Sequence, residues 1–195
     1  MEVRSTIAKL ALTIVVILFA FSAAIAADEF AVGSTNIAAA ANGGQIIAYS
    51  SQVTDESGEP VKQWAIDNLI DGKHVSGSHR PRDSYGWSSA SPPSAESPEW
   101  FILAFKEERT RLVTRVTFDP VTEDPALLGR WTKDFKIYVS NTTPDGPWAM
   151  VKSGRLLNKA IKQSFDFPPV ECRYLKIEIT SNWMSDQYVE LGEVE

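Results

Sequence analysis

The run FKIYVS, Phe135 to Ser140, decides the fold class. Phe135, Ile137 and Val139 alternate with Lys136, Tyr138 and Ser140, so an extended chain places the first three on one face and the others opposite. A helix would scatter the same residues around its circumference. The alternation returns in RYLKIEIT (173–180), with Leu175, Ile177 and Ile179 inward, and in QSFDF (163–167), with Phe165 and Phe167 inward. In LVTRVTF (112–118), Leu112, Thr114, Val116 and Phe118 are expected on one face, opposite Val113, Arg115 and Thr117. QIIAYSSQV (45–53), EWFILAF (99–105) and YVELGEV (188–194) add three more strands.

Pro92-Pro93, Asp145-Gly146-Pro147 and Pro168-Pro169 read as turns between these runs. Many short strands with Gly/Pro punctuation and no helices between them imply an all-β protein, an antiparallel β-sandwich. QWAIDNLI (63–70) is the one stretch expected to form a helical turn. No internal repeat or low-complexity segment is evident.

Residues 1–26 stand apart. Arg4 and Lys9 precede an uncharged apolar run from Leu10 to Ala26, and Ala24-Ile25-Ala26 offers a small-residue cleavage site, the pattern of an export signal. The run also reads as an uncleaved membrane anchor, being only a little shorter than the about 20 residues of a spanning helix. A short linker (27–35) leads into one domain (36–195). The last apolar run ends at Glu195 without a polar tail, which reads either as a short final strand or as a fragment of a longer protein. The net charge of −6 argues against nucleic acid, whose binding leans on a basic face. Cys172 is the only cysteine, so no internal disulfide staples the domain and a packed core must hold it. Asn141-Thr142-Thr143 matches the N-glycosylation acceptor pattern, which matters only in a host that glycosylates exported proteins.

Six segments in order carry a resemblance: NIAAAANGG with YSSQ, then NLIDG, GWSS, PEWFILAF, RWTKDFKIYVSNTTPDGPW, and FPPVECRYLKIEITSN with YVELGEVE. Together they resemble the discoidin superfamily, that is, the coagulation-factor C-type domains and the family 32 carbohydrate-binding modules. The resemblance implies a galactose-binding-like jelly roll that binds its ligand with loops at one end of the sandwich. It also implies a structural calcium ion beneath those loops, held by Asp71 and Glu193 together with turn carbonyls. Lys73 and Tyr85 depart from the family pattern around that site, and a lysine ammonium there would repel the ion.

The Asp-Gly to Trp interval, Asp71 to Trp87, is long for this family and rich in His, Arg, Ser and Tyr. Sugar recognition needs a flat apolar face and a few directional polar groups. His79, Arg80, Arg82 and Tyr85 are of the right types; the bland alternative is a solvated connecting loop. A zinc site on His74 and His79 would lack a third histidine and any nearby cysteine. Among the six tryptophans, Trp87, Trp100 and Trp148 are expected in the core, with Trp64 packed beneath the NLIDG turn. Trp131 and Trp183, in loops that precede strands, are the candidates to stack on a sugar ring, and Arg130 lies near a position where sugar-binding members use an arginine.

The leading expectation is an exported, non-catalytic module that binds a glycan or glycoconjugate. The alternatives are attachment to a phospholipid surface, with Trp131 and the Trp183-Met184 pair as spikes, and protein–protein adhesion. No G-x-S-x-G elbow, H-E-x-x-H pair or glycine-rich phosphate loop speaks for catalysis.

Overall fold

A computed structural model describes residues 35–73, 83–122 and 128–195. The leader and linker residues before 35 lie outside it, as do His74, His79, Arg80 and Arg82. Asn36–Glu195 forms a compact unit. Its strands are β1 (Gln45–Tyr49), β2 (Trp87–Ser88), β3 (Glu99–Ala104), β4 (Arg111–Asp119), β5 (Asp134–Ser140), β6 (Ala149–Arg155), β7 (Gln163–Cys172), β8 (Tyr174–Ile179), β9 (Glu190–Leu191) and β10 (Glu193–Val194).

One sheet has five strands in the order β1-β3-β8-β5-β6; a second has three, β10-β4-β7; β2 and β9 pair separately. Every strand pairing is antiparallel. The period-two pattern explains how the layers close. Phe135, Ile137, Val139, Leu175, Ile177 and Ile179 of the larger sheet meet Val113, Val116, Phe118 and Phe167 of the smaller in one core. Phe118, Phe135 and Phe165 pack at 4.7 to 5.9 Å between ring centroids. The fold is an antiparallel β-sandwich, and the helical stretch of QWAIDNLI appears as two short 3-10 turns, Lys62–Trp64 and Ile66–Ile70.

Two details correct the strand reading. Leu112 is 55% exposed while Val113 is buried, so the inward phase of β4 shifts between Val113 and Val116. The shift coincides with a break in register: Val113 pairs with Val170 but Arg115 pairs with Asp166, leaving two extra residues on β7 around Pro168-Pro169. Prolines carry no N–H for the ladder and sit at such irregularities. That dipeptide therefore lies inside a strand and is not a turn.

The tryptophans also sort differently from expectation. Trp87 is fully buried, as its position suggested. Trp100 and Trp148 are half-buried instead, packed with Ile102, Ala104 and Tyr174 in a second cluster on the outer face of the larger sheet. The Lys176 ammonium lies 5.1 Å from the Trp100 ring centroid. Trp64 meets the ring of Tyr85 at 5.3 Å.

Gly192, between β9 and β10, shows why the last run breaks in two. A Cβ there would lie 2.1 Å from the Val121 carbonyl oxygen, and the Gly192 N–H donates to the Asp119 carbonyl at 3.0 Å. Only glycine permits that approach. It anchors residues 119–122 against the C-terminal strands, and this is the end of the sandwich where the candidate loops converge.

Candidate functional site

Strand direction gathers the loops. β3 begins at Glu99, paired with Ile179 at the end of β8, and β5 begins beside that same residue. Residues 128–133 and 180–189 therefore emerge side by side at one end of the larger sheet. Their backbones are tied: Lys133 N–H donates to Ser181 O at 2.9 Å, and Met184 N–H to Gly129 O at 2.8 Å. Asn182 braces its own loop, its amide donating to Ser185 O at 2.9 Å and Tyr188 O at 2.7 Å. The Ser181 hydroxyl donates to Asp134 at 2.7 Å, and Arg155 donates to the same carboxylate at 2.6 Å. Those bonds, Arg155 foremost and Ser181 next, hold the Asp134 carboxyl below its usual range.

Four side chains face one another on this scaffold. The ammonium of Lys133 lies 5.0 Å from the Trp183 ring centroid, and the guanidinium of Arg130 lies 5.2 Å from that of Tyr188. Both are cation–π distances. Trp183 is half-buried, and its indole N–H is buried with no acceptor among the described residues, so its apolar surface is what it offers a ligand. Met184 beside it is 78% exposed. Arg130 also reaches inward to Glu190, Nη1 to Oε1 at 3.6 Å.

Of the residues picked from the sequence, Arg130 and Trp183 are thus brought to one surface. Trp131 is not. It is fully buried, its N–H donates to Thr122 Oγ1 at 3.1 Å, and a ring with no exposed face cannot stack on a sugar. The expectation that Trp131 is a stacking residue or a membrane spike is corrected: the short parallel bridge between Trp131 and Glu190 turns the side chain inward. Tyr85 stands elsewhere on this end, against Trp64, with its N–H on the Gln63 carbonyl at 2.8 Å. Lys133, Tyr188 and Glu190 escaped the sequence reading. Tyr188 and Glu190 did leave a signal in the sequence, where they alternate with the apolar Val189 and Leu191.

Asp71 and Glu193 do come together. Glu193 Oε1 accepts the Gly72 N–H at 2.9 Å, while Asp71 accepts the Lys73 N–H at 2.8 Å on one oxygen and the buried Ser84 hydroxyl at 2.6 Å on the other. Lys73 Nζ pairs with Asp83 at 2.8 Å. Calcium needs six to eight oxygen ligands. Here three of the four carboxylate oxygens take N–H or O–H donors, and no group of three or more His, Cys, Asp or Glu gathers among the described residues. The two carboxylates thereby form a hydrogen-bonded clasp between the Asp-Gly turn and the last strand.

The sandwich, with its loops gathered at one end, is of the galactose-binding-like class. The chain belongs to the F5/8 type C domain family, whose model matches residues 46–193. Among solved structures, a family 32 carbohydrate-binding module from Streptococcus pneumoniae EndoD is similar at a TM-score of 0.58 and 19% identity, covering 82% of this chain and 97% of that one. A module of the same family from Clostridium perfringens, solved with GalNAc-β-1,3-galactose, gives 0.57 and 12% over 77% and 92%. A chitosan-binding module from a Paenibacillus chitosanase/glucanase gives 0.58 and 16% over 83% and 98%. No curated protein matches the chain. Among the described residues no helix is long and apolar enough to cross a membrane.

Proposed function

We propose that this domain is a non-catalytic module that binds carbohydrate on the surface formed by residues 129–133 and 182–188, in an exported protein whose leader directs it out of the cell. The observation that carries the reading is the pairing of the half-buried Trp183 with Arg130, stacked on Tyr188, on two loops tied backbone to backbone. A sugar presents a C–H face and a rim of hydroxyls. An aromatic ring meets the first by apolar contact, and guanidinium or ammonium donors meet the second. The Clostridium module solved with GalNAc-β-1,3-galactose supports the class, since that ligand is a galactose-containing disaccharide on a domain of the same fold.

The reading needs no calcium ion, because the clasp around Asp71 and Glu193 lies outside the proposed contact surface. A second reading, attachment to a phospholipid surface, draws on the exposure of Met184 next to Trp183. Net negative charge opposes approach to anionic lipid. A glycan array and anionic liposomes, each assayed with calcium and with chelator, separate the two. Selective glycan binding in both conditions supports the proposal; liposome binding without glycan binding replaces it with the second reading, and loss of both leaves protein–protein adhesion.

A further inference from the structure

We infer that Glu190 is a positioning residue of the binding surface: from the interior it holds the Arg130 guanidinium against Tyr188. The inference rests on the carbohydrate reading above and deepens it. Glu190 has a side chain 1% exposed, whereas Arg130 is 33% exposed, so the ion pair joins a fixed interior carboxylate to a guanidinium that reaches the surface.

The carboxylate is itself oriented. Thr122 donates its hydroxyl to Glu190 Oε2 at 2.8 Å, and the same hydroxyl oxygen accepts the Trp131 indole N–H at 3.1 Å. A hydroxyl has one hydrogen to give, so the Trp131 bond leaves that hydrogen aimed at Glu190. The backbones are locked too, because the Thr132 N–H and hydroxyl both donate to the Glu190 carbonyl at 3.0 Å. With chain and carboxylate both fixed, Oε1 faces Arg130 Nη1 at 3.6 Å. A buried carboxylate is costly unless it is paired and hydrogen-bonded, and here both conditions are met. Tyr188, two residues before Glu190 in the segment that leads into β9, supplies the floor for the guanidinium plane. A long arginine normally loses rotamer freedom when it grips a ligand; one held at both its edge and its face has already lost it.

The test is Glu190→Gln, in the whole protein, read in two ways. Without any ligand, the side-chain NMR signals of Arg130 should show slow guanidinium rotation and protected N–H protons in the wild type, and averaging in the variant. With the glycan that answers best on the array, affinity should fall roughly three- to tenfold, the share of one preorganised side chain. The fall should vanish in an Arg130→Ala background, where E190Q has nothing left to position. If E190Q fails to fold, Thr122→Val removes the hydroxyl that orients the carboxylate and should broaden the same Arg130 signals. Unchanged Arg130 signals, or an E190Q loss that persists in the Arg130→Ala background, would overturn the inference. A wild type that binds no glycan would overturn the carbohydrate reading instead, and the ligand-free spectra would still decide the role of Glu190.

Discussion

Trp131 and Thr122 are joined inside the domain by an indole N–H to hydroxyl bond of 3.1 Å, and that bond marks which of two neighbouring tryptophans belongs to the core. Trp131 has no exposed surface, while Trp183 is half-buried and carries the Lys133 ammonium over its ring. Trp131→Ala removes a large buried side chain and orphans the Thr122 bond, so it should cost about 3–5 kcal/mol of stability, as core aromatic deletions do. Trp183→Ala should cost little stability and abolish glycan binding. Denaturant melts of the two variants test the ranking, and a Trp183→Ala loss as large as that of Trp131→Ala would refute it.

A second substitution at the same site isolates the ring from its N–H. The Trp183 N–H is buried without an acceptor among the described residues, and an unpaired donor costs stability rather than adding to it. Trp183→Phe should therefore leave stability unchanged or raise it by up to about 1 kcal/mol, while keeping an aromatic face for the sugar. Binding that survives Phe but not Ala would assign the contact to apolar surface. Loss of binding with Phe would mean that the indole N–H turns outward to meet the ligand.

The sandwich itself was legible in the sequence because its signal is local and repeated. Phe135, Ile137 and Val139, and Leu175, Ile177 and Ile179, keep strict alternation and all face the core. Leu112 broke the rule beside a break in register that no single strand records: Val113 pairs with Val170 but Arg115 with Asp166. Burial of Trp131 was non-local in the same way, since it depends on a bridge to Glu190, far along the chain, as well as on the Thr122 hydroxyl. Trp183 could be named from loop position and residue type, and Arg130 from its place in the family resemblance. Their partners Tyr188 and Lys133 could not, because stacking on a particular ring is set by how two loops meet.

Titration gives two further outcomes. Burial raises the Cys172 thiol from its ordinary 9.0 to about 12. Below pH 9 both folded and unfolded chains keep the proton, so nothing is lost; between pH 9 and 12 the unfolded thiol ionises first, and stability should fall as the pH rises. At neutral pH the thiol should not react with Ellman's reagent until the protein is unfolded. A rapid stoichiometric reaction in native buffer would contradict its place in the core.

The opposite sign applies at Asp134, whose carboxyl is held down mainly by the Arg155 guanidinium. Its contribution is present above the ordinary carboxylate range and is lost as the pH drops through its lowered value. Arg155→Gln should therefore lose acid stability at a higher pH than the wild type, as acid-titrated melts would record. Coincident acid transitions in the two proteins would show that the pair is too well screened by solvent to matter.

The clasp around Asp71 leads to an outcome without an ion. Because Asp71 and Glu193 spend three oxygens on Gly72, Lys73 and Ser84, the melting temperature should be the same in calcium and in chelator. Ser84→Ala, which strips a buried donor from Asp71, should lower stability by about 1 kcal/mol or more. A melting temperature that climbs with calcium concentration would show that the ion displaces these donors.

Glycan binding by the wild-type protein and by Trp183→Ala, side by side on one array with thermal melts to establish that both are folded, decides whether this surface holds the ligand. The expected result is selective glycan binding by the wild type and its loss in a variant that melts where the wild type does. Equal binding by the two folded proteins would contradict it and move the ligand off the surface shared by Arg130 and Trp183.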